Sequence, residues 1–237
     1  HIPEFARGGV PTKMGWDWST AGKLTPEGKP FQLKDDRGHV IHDSKKGDFV
    51  LGENVQPDYL WFNGQVSYTQ PDTRIDPATR VAINTFHGTP GASDARIWPV
   101  KTFHGKQPYD TEHLTLLVPH TATPDDTAFW YNFDWPKALQ AGADATGQPY
   151  SGKFDFVETS MLWPITHMVA PKDKALDCAQ CHANDGRLAG VPGVWMPGRD
   201  RNAMLDTFGF GLAGLMLLGA IGHGGLRFLT RNKRKEH

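Results

Sequence analysis

Residues 178–182 read Cys-Ala-Gln-Cys-His, and this short stretch governs how the rest of the 237-residue chain is read. Two thiols three residues apart lie on one side of a helical turn, where each can form a thioether with one vinyl group of a porphyrin. The residue that follows then points under the iron. The C-x-x-C-H spacing is thus the attachment pattern of c-type haem, with Cys178 and Cys181 as the covalent anchors and His182 as the proximal iron ligand. The motif uses both cysteines of the chain. A redox dithiol needs no following histidine and favours a βαβ context, and a zinc site wants a second Cys or His pair. Neither context is visible. Covalent haem also requires an extracytoplasmic location.

Downstream of the motif, 20 residues without a formal charge, Thr207 to Leu226, separate Asp206 from Arg227. At roughly 1.5 Å per residue they span about 30 Å, the hydrocarbon thickness of a bilayer, and are read as a transmembrane helix. The alternatives are a buried glycine-rich core helix or an interfacial segment, because seven glycines and His223 dilute the hydrophobicity. The tail from Arg227 carries a net charge of +4 and leaves −5 on residues 1–226. Under the positive-inside rule this tail stays cytoplasmic and the rest lies outside, in the periplasm of a bacterial cell. The glycines give the helix a small-residue surface that suits a second membrane helix. His223, an ionisable group inside the span, suits a ligand or hydrogen-bond donor, or reaches water near the inner interface.

Upstream, 26 glycines and 18 prolines interrupt nearly every apolar run, and hydrophobic residues make up only 38% of the chain. A domain so short of ordinary core residues needs cross-links, metals or large cofactors. The 8 Trp, 13 Phe and 5 Tyr suit flat cofactors as well as ordinary cores. A net charge of −1 gives no basic excess for nucleic acid. The expected fold is loop-rich and mainly α with few short strands. Strand-like runs are Asp48–Leu51, Val81–Thr85 and Leu114–Val118, and short helices are expected at Trp135–Ala143 and Asp173–Ala183. The organisation follows as a haem-binding domain over 1–200, a membrane helix over 201–230 and a basic tail over 231–237, with Met196–Arg201 as a polar hinge.

A haem iron that is not catalytic needs a sixth ligand. His167, in Trp163-Pro-Ile-Thr-His-Met-Val-Ala-Pro-Lys172, is the leading candidate, and Met168 beside it competes. His39 and His42 lie in a charged stretch and are expected to face solvent, while His87, His104, His113 and His120 stand in apolar or Pro/Gly-flanked segments. For one haem these are too many. The surplus fits a chain that packs against further haems attached elsewhere and supplies some of their ligands. Lys101, Lys106, Lys172 and Arg187 are candidates for stabilising an oxyanion substrate, or simply solvate the surface.

The strings His1-Ile-Pro-Glu-Phe-Ala-Arg7, Trp16-Asp-Trp-Ser-Thr-Ala-Gly22, Tyr59-Leu-Trp-Phe-Asn-Gly64, Gly105-Lys-Gln-Pro-Tyr-Asp110 and Trp163 to Lys172, followed by the C-x-x-C-H motif, occur in this order. Over about residues 1–190 the chain resembles the octahaem c-type cytochromes of the tetrathionate reductase type. The membrane helix stands outside the resemblance. The family pattern places His-Ile-Pro directly after a C-x-x-C pair, which implies that His1 is the proximal ligand of a preceding haem and that this chain is a C-terminal part. Together with the surplus of histidines, the resemblance makes at least one of His104 and His167 an iron ligand beside His182, and it further implies contacts with further haems c and a catalytic haem upstream. It implies reduction of tetrathionate, nitrite or hydroxylamine, with catalytic residues unknown, while the uncharged span and basic tail by themselves make the protein a bacterial inner-membrane, single-pass one. Partners would be the upstream portion, the membrane and an integral membrane cytochrome or quinol-linked subunit. The alternatives are an electron-transfer module without its own substrate, linking membrane quinol chemistry to soluble partners, and a structural piece that docks a separate cytochrome.

Overall fold

A computed structural model of the chain describes residues 2–197 and 199–230. The elements run β1 (Thr12–Asp17), a 3₁₀ turn (Trp18–Thr20), β2 (Gln32–Lys34), β3 (Val40–Asp43), β4 (Gly47–Gly52), β5 (Asp58–Phe62), β6 (Val66–Tyr68), β7 (Val81–Ala82) and β8 (Asn84–Phe86). They continue with β9 (Arg96–Asp110), β10 (Thr115–Leu116), α1 (Phe129–Asn132), α2 (Trp135–Thr146), β11 (Phe154–Pro164), a second 3₁₀ turn (Lys172–Lys174), α3 (Cys178–His182) and α4 (Ala203–Thr230). With 27% strand against 24% helix and a large mixed sheet, the expectation of a mainly α domain is overturned.

The chain divides into two units. The first runs to Asp177 and includes Gly190–Gly193; the second holds Cys178–Ala189 and everything from Val194. The first unit is organised by β9, 15 residues long, which β11 follows antiparallel from Phe154 opposite Asp110 to Pro164 opposite Val100. The other edge of β9 is shared in turn by β5, antiparallel, β1, parallel, and β10, antiparallel. From β1 the sheet continues through β4 and β3 to β2, and β7 closes the far side of β11, giving nine strands among the described residues. Pro99 and Pro108 lack an N–H yet keep their acceptor roles, since Ile165 N donates to Pro99 O at 3.1 Å and Leu117 N to Pro108 O at 3.0 Å. Gly105 is required by packing: a Cβ there would lie 2.5 Å from Thr159 Oγ1.

The run expected as one strand over Val81–Thr85 is instead two, because the chain changes sheets at Ile83. The Ile83 amide donates to Ser160 O at 2.8 Å beside β11, while its carbonyl accepts from Thr69 N at 2.9 Å on the side of the β6–β8 ribbon. The helix expected over Asp173–Ala183 is broken at Ala175, whose extended ψ of 149° ends the second 3₁₀ turn. In the expected strand Leu114–Val118 only Thr115–Leu116 pairs, Leu114 being held at a φ of +57°. The helix at Trp135 forms as α2, capped by Asp134, which accepts from Lys137 N at 3.2 Å, and buries Ala138, Leu139 and Ala143.

In the second unit α4 is 28 residues long, about 42 Å at the α-helical rise. Asn202 Oδ1 accepts from Met204 N at 3.1 Å and Leu205 N at 3.2 Å, which caps its start, and Asp206 in the first turn complements the helix dipole. The hydroxyls of Thr207 and Thr230 donate to the carbonyls four residues back, so neither needs an external partner. Its leucines and phenylalanines are exposed, Phe210 at 79%.

Candidate haem site

The Cys178–His182 motif forms one helical turn, α3, which the chain folds back to brace. Ala183 N donates to Ala179 O at 2.9 Å, Arg187 N to Gln180 O at 3.0 Å and Leu188 N to Cys181 O at 3.3 Å. This return needs Gly186, since a Cβ there would lie 2.6 Å from Cys181 O. Further along, the Arg199 guanidinium donates to Ala189 O at 2.6 Å, Val194 O at 2.8 Å and both oxygens of Asp200 at 2.7 Å. Asp200 also accepts from Met196 N at 2.8 Å. Arg199 and the Met196 amide together hold the Asp200 carboxyl at about 2, well below the usual carboxylate range.

No disulfide joins the two cysteines, Cys178 and His182 are exposed and Cys181 is half-buried. Among the described residues no three His, Cys, Asp or Glu side chains converge as a metal site, so the motif has no companion ligands of the zinc kind. The donor set that remains, two thiols on one turn and an adjacent accessible imidazole, fits covalent haem. Cys178 and Cys181 would hold the porphyrin and His182 its iron.

A model of the family described as "Cytochrome c bacterial" matches residues 13–185, well over half of the chain. The chain belongs to this family of bacterial cytochromes c. It is a c-type electron-transfer protein with covalently bound haem c. Among solved structures it is similar to an octaheme cytochrome c from Shewanella oneidensis, with 35% identity and a TM-score of 0.73 over 84% of this chain. The match covers 46% of the Shewanella chain, so this cytochrome spans about half of that relative's length. No curated protein matches.

Of the other histidines read from the sequence, His1 lies outside the described residues. His104 is exposed on β9, between Gly15 of β1 and Ser160 of β11. It opens onto a cavity of about 370 Å³ that Asp17, Asp48, Glu158, Arg80 and Lys106 also line. His167, exposed in the segment after β11, opens onto a different cavity of about 380 Å³ with Arg7, Lys101, Trp163 and Met168. Strand alternation puts Lys101 and Phe103 on one face of β9 and His104 and Lys106 on the other, so the two imidazoles address opposite sides of the sheet. Met168, the competing ligand, sits at a φ of +67° with its carbonyl accepting from the Arg7 guanidinium at 2.8 Å.

His42 corrects the sequence reading. Instead of facing solvent it is 3% exposed, stacked on Phe31, with Nδ1 2.5 Å from Asp48 Oδ1. The charged stretch is an antiparallel β3–β4 hairpin, which turns His42 inward. His87 meets Ser67 Oγ at 2.9 Å and His120 meets Asp125 Oδ2 at 2.9 Å. Lys172 is exposed on the second 3₁₀ turn.

A further cavity, of about 620 Å³, is one that the sequence did not disclose. It lies on the Lys101 face of β9, where Trp16 and Trp18 stack with centroids 4.8 Å apart and planes 13° apart. The Trp16-Asp-Trp18 spacing was its only trace in the sequence, and alternation alone would have sent two tryptophans on one strand to the same face without saying that the face stays open.

Proposed function

We propose that this chain is part of a membrane-anchored, periplasmic multihaem c-type cytochrome oxidoreductase. In this reading Cys178 and Cys181 form the thioethers and His182 takes the iron. The carrying observation is the braced, accessible C-x-x-C-H turn in a chain 35% identical to an octaheme cytochrome. Haem c supplies a reversible one-electron iron couple. What the chain's own residues do is hold and tune it: the return through Gly186 to Ala189 fixes the turn that carries both thiols, and the Arg199–Asp200 pair fixes the segment after it.

The exposed imidazoles of His104 and His167 serve as axial ligands to further haems borne outside these residues, and His1 as the proximal ligand of the haem before it. Their placement on opposite faces of the sheet supports different haems for His104 and His167. The resemblance to tetrathionate reductase-type proteins extends the proposal to reduction of tetrathionate, nitrite or hydroxylamine at a catalytic haem upstream. The same reading has α4 cross the inner membrane once, with the tail beyond Arg231 inside. It is supported by a 28-residue helix of mean hydropathy 1.7 over its most apolar window, unburied along its length. Haem staining after denaturation, and the iron-to-protein ratio of the purified assembly, test it. Haem that survives denaturation in wild type but is lost in C178A/C181A, with more than one iron per chain, is the expected result. One iron or fewer rejects the multihaem reading.

A further inference from the structure

The 620 Å³ cavity on the sheet adjoins the cavity that His167 enters, and the two share Pro11, Thr12, Lys101 and Trp163. Together they make an open depression walled by the Trp16–Trp18 stack, Phe103 and Trp163, the last still 49% exposed. Each part falls in the volume range of cofactor sites, roughly 300–1,000 Å³. Lys13, Lys101 and Arg7 line it and, among the described residues, no Asp or Glu does, although residues 1–226 carry a net −5. The cavity that His104 enters, on the other face, has Asp17, Asp48 and Glu158 in its wall.

The two lysines differ. Lys101 Nζ donates to Thr12 Oγ1 at 2.9 Å and to Lys13 O at 2.8 Å. Lys13 Nζ lies over the Phe49 ring at 3.8 Å and near that of Trp16 at 5.1 Å, and no hydrogen-bond acceptor reaches it among the described residues. Partial burial, then the neighbouring charge of Lys46, lower its pKa, and the carboxylate of Asp43 offsets them only in part. A flat aromatic wall with a cation at its rim suits a planar group bearing carboxylates.

We propose that this depression seats the propionate edge of a haem attached to the part of the protein outside these 237 residues, with Lys13 pairing a propionate and Trp16, Trp18 and Trp163 flanking the porphyrin. The proposal rests on the multihaem reading above. Two observations name the occupant. A haem held by thioethers at its vinyl edge presents its opposite, dianionic edge to whatever packs against it, and here that edge meets cations in a lining without Asp or Glu among the described residues. The similar octaheme cytochrome is also more than twice as long as the region matched, so most of its length lies beyond this segment.

The test uses the complete haem-loaded protein and Lys13→Met, which removes the charge and keeps the length at an exposed position. Redox titration followed by optical and electron paramagnetic resonance spectra should show one haem, other than the one lost in C178A/C181A, moving to a more negative midpoint while the others stay. Loss of a nearby cation favours ferric iron, and the wild-type potential should fall towards the variant's as pH rises and Lys13 deprotonates. In native wild type, an amine-reactive label should spare Lys13 and modify Lys23 and Lys34. Unmoved potentials with rapid labelling of Lys13 overturn the proposal. Protection of Lys13 without any potential shift puts polypeptide over the cavity and overturns the haem assignment. An iron count of one per chain would sink the multihaem reading itself, a result distinct from either.

Discussion

Asp110 shows what a single side chain does for the first unit. It is fully buried at the end of β9, and its carboxylate accepts from Glu112 N and His113 N at 2.8 Å, Ser151 N at 2.6 Å and Ser151 Oγ at 2.9 Å. Burial pushes its pKa up, and these four donors more than offset that, leaving it below the ordinary value. Asp110→Asn keeps the shape but sets an amide against those donors, and should cost about 3 kcal/mol, read from the midpoint of denaturant unfolding. Asp125 is a surface counterpart. Hydrogen bonds from His120 and Thr127 bring it from 3.8 to about 2. A depressed carboxylate stabilises the fold fully above its unfolded pKa and loses that contribution as pH falls through the folded one. Thermal midpoints should therefore drop between about pH 4 and pH 2, and less steeply in Asp125→Asn.

At the scale of elements, Gly186 decides whether α3 can be braced. Gly186→Ala would drive a methyl into the Cys181 carbonyl, displace the return to Ala189 and lower covalent haem per polypeptide, measured by haem stain against total protein. The same scale explains what the sequence disclosed. The C-x-x-C-H turn, α2 and the long apolar helix are local patterns, set by spacing, a capping Asp134 and a run without charge, and all three were legible. The two strands that build the sheet were not. Pro99, Gly105 and Pro108 make β9 look like broken loop, and only the partners at its edges show that carbonyl pairing and a close approach to Thr159 accommodate them. In β11, Val157 and Thr159 are buried on one face while Phe154 and Phe156 are half-buried on the other, which blurs the alternation that marks a strand. The hairpin pairing that turns His42 inward and the β1–β9 pairing that leaves the Trp16 cavity open are pairings that no strand's own pattern shows.

For the whole molecule, the proposed anchor makes a separable prediction. A chain ended after Arg201 should partition into the aqueous phase with its haem attached, while the full chain should need detergent and resist carbonate or high salt; release of the full chain by either wash would reject the anchor. The haem turn and α4 belong to one unit, joined by the residues between His182 and Ala203. Even drawn out fully, those 20 residues reach about 70 Å. With α4 in a bilayer, the redox centre would be leashed to a thin layer above the lipid, and its search for any membrane-bound redox partner would become two-dimensional. Encounter then depends on how densely the membrane is populated rather than on affinity between the two proteins, so a weak, easily released contact is enough to keep electrons moving.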